Sequence, residues 1–214
     1  MEEKNVKYGI GDQDFRSLRE NGFLYVDKTR YIEKMVEGSK YYLLARPRRF
    51  GKSLFLSTLK YFFEGRRELF KGLHIDSADW EWEAYPVLHL DLNTARFVDP
   101  DALADVLETQ FIAWEKTYGI TEKMETYSQR LKIIIEKAHE KTGRQVVILV
   151  DEYDKPLVSN LKNPDNFERY RTQLASLYSN FKSSAEHLRL VFLKVVSSLS
   201  KLSVYSDLHN LKYI

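Results

Sequence analysis

Five aliphatic residues in a row, Val146-Val147-Ile148-Leu149-Val150, run without interruption into Asp151 and Glu152. A half-exposed strand alternates apolar and polar side chains, so a mostly β-branched run with no polar break reads as a strand covered on both faces. Strands of that kind lie in parallel sheets with helices on each side. The flanking sequence supports this. KYYLLA (Lys40 to Ala45), YPVLHLDLN (Tyr85 to Asn93) and LRLVFLKVVS (from Leu188) read as further strands. Between them the periodicity predicts helices over Thr29 to Glu37, from Ser53 to a stop at Gly65, over Asp101 to Tyr118, over Glu122 to Lys141 closed by Gly143, and over Asp165 to His187. The expected fold class is α/β, a parallel sheet flanked by helices.

Composition removes several alternatives. Of 214 residues, 43% are apolar and 30% charged, a balance that fits neither a disordered nor a membrane-embedded chain. No apolar run approaches the ~18–20 residues of a membrane span. The absence of cysteine excludes disulfides, thiolate metal sites and cysteine nucleophiles together. The acidic, polar start MEEKNVKYGIGDQDF does not read as a secretory signal, so the expectation is a soluble cytoplasmic domain. A formal charge of +2 gives no global argument for nucleic-acid binding, although local basic patches remain open. One domain is expected over residues 1–214, with a lead and helix in 1–39 and the α/β core in 40–214.

The first chemistry-bearing stretch is Arg46-Pro47-Arg48-Arg49-Phe50-Gly51-Lys52-Ser53, followed by Leu54. A phosphate loop needs a tight strand-to-helix turn whose amides converge on an anion, a lysine for the outer phosphates and a hydroxyl for Mg²⁺. Gly51, Lys52 and Ser53 match the end of G-x-x-x-x-G-K-[ST], while Arg46 stands at the first glycine. The setting between an apolar strand and an apolar helix is the one the mechanism requires. The crowd of Arg46, Arg48, Arg49 and Lys52 suits a polyphosphate, and would equally suit a solvated face or a nucleic-acid backbone.

The second stretch is the acidic pair. Asp151 at the end of a buried strand is placed to hold Mg²⁺ opposite Ser53, and Glu152 to orient and deprotonate an attacking water. Two solvated acids closing a strand are also common, so the conjunction carries the argument. Both clusters belong at the C-terminal edge of a parallel sheet, where ligands bind in open α/β folds. Adjacent Asp and Glu favour the phosphate-loop NTPase arrangement in which one inserted strand separates the loop strand from the acidic strand. LRLVFLKVV is the candidate for that insertion.

YVDKT (Tyr25 to Thr29), RPRRFGKS (Arg46 to Ser53), VDEYDKPL (Val150 to Leu157) and SDLHNL (Ser206 to Leu211) resemble the bacterial and archaeal AAA-ATPase-like family. The likeness extends from Ile10 to Leu211. It implies a P-loop NTPase core that binds ATP with Mg²⁺ and hydrolyses it. It assigns Lys52 and Ser53 of the Walker A stretch to phosphate and metal, and Asp151 and Glu152 of the Walker B stretch to metal and water. It also implies that Asp27, Lys28 and Thr29 line the adenine side, and that Arg46 is an expected residue at the first loop position. Members often carry a C-terminal nuclease domain as an effector; from the stop after LHNLKYI the expectation is that this effector and the usual lid are absent.

The chain departs from the family pattern after the last strand, where Thr-Gly-Val-[ST]-[KR]-[FL] is usual and Lys194-Val195-Val196-Ser197-Ser198-Leu199 stands instead; His209 replaces a usual Asn. Lys194 takes the place of a sensor threonine and is expected to pair with Glu152 or approach a phosphate. Val195 replaces a glycine that allows close backbone approach, and Ser198 a basic residue. These changes spare binding more than hydrolysis, so an interaction module with weak or no turnover is the alternative function.

Other candidates are weaker. His89 and Asp91 share one strand face but lack a third ligand at metal-binding spacing. Leu59, Phe62 and Phe63 fall at core spacing on their helix. Trp80 and Trp82 lie in a connection and are free to cap the sheet or to meet a partner.

Overall fold

The computed structural model describes residues 7–47, 49–195 and 211–214. Five parallel strands form one sheet: β1 (Tyr41–Ala45), β2 (Val87–Asp91), β3 (Val146–Asp151), β4 (Leu188–Val195) and β5 (Lys212–Tyr213). Their order is β2-β3-β4-β1-β5, with every pair parallel. The expected insertion is therefore present, because β4 lies between the loop strand β1 and the acidic strand β3.

Helices cover both faces, which is why β3 carries no polar residue before Asp151. Strand alternation sends Val146, Ile148 and Val150 to one face, where they join Phe111 of α4 (Ala102–Tyr118), Ile134 of α5 (Tyr127–Thr142) and Phe181 of α7 (Pro164–Ser183). Val147 and Leu149 point the other way, with Leu190 and Phe192 of β4. Here they meet α1 (Phe15–Glu20), α2 (Thr29–Val36) and α3 (Lys52–Phe63) through Phe15, Ile32 and Phe55. The N-terminal helices thus share a core with the sheet.

The helix boundaries follow local chemistry. α5 begins at Tyr127, later than its periodicity predicts, because Thr126 forms a capping box with Gln129. It ends at left-handed Gly143, as expected. α7 starts on Pro164 behind an Asn163 cap and stops at Ser183, before the predicted His187. Leu59, Phe62 and Phe63 of α3 are buried, and Trp80 (tilted) and Trp82 (edge-on) pack against Phe62 with ring centroids 5.3 Å away in each case. The two tryptophans therefore cover the aromatic side of α3. Among the described residues the elements not expected include α1, the one-turn α6 (Lys155–Val158), the two-residue β5 and the 3₁₀ turns at Arg67–Phe70 and His74–Ser77. Among the described residues no helix is long and apolar enough to cross a membrane.

Candidate phosphate site

The turn from β1 into α3 is built on two left-handed residues. Gly51 has φ 71° and Arg49 φ 67°. The conformation costs glycine little but a side-chain-bearing residue such as Arg49 about 1–2 kcal/mol. Gly51 is also crowded: a Cβ would lie 3.3 Å from Lys28 Nζ. Gly51 is the N-cap of α3 and makes no side-chain cap, so the first-turn amides remain available at the positive end of a 12-residue helix.

Lys52 closes the loop from below. Its Nζ donates to Arg46 O at 2.5 Å and Pro47 O at 2.9 Å, and the residue is 7% exposed. Burial, and then the ammonium of Lys194, lower its pKa from the ordinary lysine value, while Glu152, Asp154 and Asp151 pull the other way. Even so, Lys52 lines a cleft of about 530 Å³ together with Arg49, Ser53, Asn93, Glu152 and Lys194. Leu54 borders it, and Gly11, Asp12 and Gln13 form the far wall.

Strand alternation explains what meets Ser53. Asp151 shares a strand face with Val147 and Leu149, and Lys194 with Leu190 and Phe192; both therefore emerge on the α3 side at the sheet's C-terminal edge. Lys194 Nζ donates to Ser53 Oγ at 2.7 Å and pairs with Asp151 Oδ1. The Asp151 contact is a close ion pair. Glu152 Oε1 is 3.9 Å from the same ammonium, and its Oε2 4.0 Å from Lys155 Nζ. Glu152 has φ 51°, a strained turn that directs it into the cleft. Val195 points to the opposite face and is packed in the core, away from the cleft.

On the other side of the loop lies a smaller hollow of about 200 Å³, lined by Lys28, Tyr31, Leu44, Arg46, Phe50 and Phe55 among others. Phe50 is 60% exposed, and Lys28 Nζ reaches Phe50 O at 3.4 Å. Pro47 is exposed on the loop. Asp27 does not join the hollow's lining. Its carboxylate accepts from Thr29 N and Oγ1 and from His74 N, tying the start of α2 to the 3₁₀ turn at His74–Ser77. Arg48, and Val196, Ser197, Ser198, Leu199 and His209, lie outside the described residues.

Sequence reasoning missed Asn93, Lys155 and the Gly11–Gln13 wall. Lys155 Nζ donates to Asn93 O and Oδ1, each at 2.8 Å, joining the ends of β2 and β3. The available signal was that Asn93 follows a strand ending on the same edge as Asp151. The lead reaches the cleft because Asp14 accepts from Ser57 Oγ and Tyr61 OH of α3 while Phe15 is buried beneath.

His89 and Asp91 stand on the outer strand, and among the described residues no group of three or more His, Asp or Glu side chains gathers to hold a metal. Burial, against the opposing pull of Asp91, holds His89 below the ordinary value of 6.5. Because the unfolded imidazole binds its proton first as pH falls, stability declines below about pH 6.5. Urea midpoints between pH 7.5 and 5 should show this fall, and His89→Gln should flatten it.

A sequence model of the family described as "Predicted AAA-ATPase" matches residues 8–205. A protein of Azotobacter chroococcum mcd 1, described as "Uncharacterized protein in vnfD 5'region", is 39% identical over 207 residues, covering 96% of this chain and 40% of that relative. The chain thus spans well under half the length of that relative. The parallel α/β sheet, the inserted strand and the match over residues 8–205 agree, and the chain belongs to the predicted AAA-ATPase family.

Proposed function

We propose that the chain is an ATP-binding domain whose triphosphate lies over Arg46 to Ser53. The observation that carries this reading is the convergence of Lys52, Ser53, the uncapped start of α3 and Lys194 on one cleft of about 530 Å³. Amides at a helix N-terminus and ammonium groups are the partners a polyphosphate requires. Arg46, Arg49 and Lys52 neutralise its charge, with Arg48 in the same loop. Leu54 supports the loop from the first turn of α3. The neighbouring hollow, walled by Tyr31, Phe50 and Phe55 beside Lys28, takes the base.

Family membership also implies Mg²⁺ and hydrolysis. Ser53 and Asp151 are the right donor types for the metal, but Lys194 Nζ contacts both, so the residues as arranged do not fit a divalent ion between them. Binding with weak or no turnover is therefore the reading the geometry supports best. Hydrolysis remains the second reading because Glu152 faces the cleft, where it is placed to orient a water toward the terminal phosphate.

Calorimetric titration with ATP, ADP and AMP tests the proposal. Affinity should fall as phosphates are removed, and no heat with any of the three would remove the reading. Phosphate release under saturating ATP separates the two forms. Turnover lost in Glu152→Gln supports the enzyme, and binding without turnover supports the module. Salt-steep binding of a DNA duplex that ATP does not displace would instead assign the arginines to a nucleic-acid backbone.

A further inference from the structure

The buried ammonium of Lys194 occupies the position that a cation bridging Ser53 and Asp151 would need. Its Nζ is 2.7 Å from Ser53 Oγ, ion-paired with Asp151 Oδ1 and 3.9 Å from Glu152 Oε1. Mg²⁺ demands near-octahedral oxygen ligands at about 2.0–2.1 Å and keeps several waters. An ammonium already touching two of the intended ligands excludes that shell by volume and by like charge. Nor is Lys194 free to swing away. The residue is 3% exposed, its strand β4 is bonded on both sides by β3 and β1, and its carbonyl accepts from Tyr153 N at 3.1 Å.

We propose that Lys194 is a tethered cation that takes the place of Mg²⁺, so that the chain binds the metal-free form of a nucleoside triphosphate. The inference rests on the nucleotide-binding reading above and specifies which ionic form of the ligand is recognised. Lys52 and Lys194 both line the cleft and flank Ser53, one anchored to the loop and the other to the acidic strand. A triphosphate lying between them meets a positive group on each side. An ammonium offers three donors and one charge, but neither ligand waters nor the Lewis acidity of a divalent ion. Binding therefore persists where phosphoryl transfer gains little.

The test titrates ATP into the wild-type chain in EDTA and again in excess Mg²⁺. Affinity in EDTA should equal or exceed that in Mg²⁺. In Lys194→Thr and Lys194→Ala the order should reverse, with binding at least about tenfold weaker in EDTA than in Mg²⁺. With Mn²⁺ as the probe, electron paramagnetic resonance should detect a protein-held metal–ATP complex in Lys194→Thr and none in wild type. A wild-type affinity that drops tenfold or more in EDTA overturns the inference while leaving nucleotide binding intact. Metal-independent binding in the variants as well as the wild type overturns the role of Lys194. Should the variants fail to fold by circular dichroism, the wild-type comparison and its Mn²⁺ spectrum still decide. Absence of ATP binding in both media removes the nucleotide-binding reading, and this inference with it.

Discussion

Lys52→Ala should weaken ATP binding by about 10- to 100-fold, with a smaller loss of fold stability. The ammonium makes two hydrogen bonds to the loop carbonyls of Arg46 and Pro47 while lining the cleft, so it both shapes the loop and presents charge to the ligand. A charge-assisted hydrogen bond contributes roughly 1.5–3 kcal/mol, which sets the size of the affinity loss. The carbonyls it leaves behind lie on a surface loop, where water can replace the donor. Lys52→Arg would keep the charge but replace a compact ammonium with a planar guanidinium that cannot repeat both bonds to the Arg46 and Pro47 carbonyls in the same geometry, and should recover only part of the affinity. Titration of a fluorescent ATP analogue reads the affinity and urea unfolding the stability. Equal affinity in wild type and Lys52→Ala would detach the lysine from the ligand.

Lys194→Met should destabilise the fold by about 3–5 kcal/mol, the range for stripping one partner from a buried ion pair. The variant leaves Asp151, 8% exposed, beside Ser53 without its main counter-charge. Asp151→Asn should produce a loss of the same kind from the other side, leaving the Lys194 ammonium with Ser53 and the more distant Glu152. The double replacement should recover much of both losses, because neutral groups of similar shape no longer carry an uncompensated charge. Urea midpoints for the four proteins give the coupling directly. Simple additivity would mean that the pair contributes through packing alone.

The sheet was legible where the chain runs continuously apolar. Val146 to Val150 suits a strand covered on both faces, and the alternation of apolar runs with helices implied parallel neighbours. The adjacency of Asp151 and Glu152 led to the inserted strand, and β4 fills it. Short elements were not legible, for a physical reason. The six residues of α1 are too few for a periodic signal, and they are held by the Asp14 cap and the burial of Phe15. β5 is two residues paired to β1, a contact with no pattern of its own. In the candidate site, the loop and the acids are local strings and could be read in place. Lys194 was expected beside Glu152 or a phosphate; it does pair with Glu152 at 3.9 Å, but Asp151 and Ser53, which were not anticipated, are closer. That choice depends on strand neighbours and facing, which bring Asp151 and Lys194 out on the same side as α3. Asn93 is marked only by following a strand that ends on the same edge as Asp151, while the Gly11–Gln13 wall reaches the cleft through long-range packing that nothing near it in the chain marks.

The most direct measurement follows the backbone amide resonances of Gly51, Lys52 and Ser53 while ATP is added to the labelled protein. If the triphosphate lies on the uncapped start of α3, these three amides should move first and furthest, ahead of residues on the far helices α4 and α5. A saturating shift confined to other surfaces, with Gly51 to Ser53 unmoved, would contradict the account.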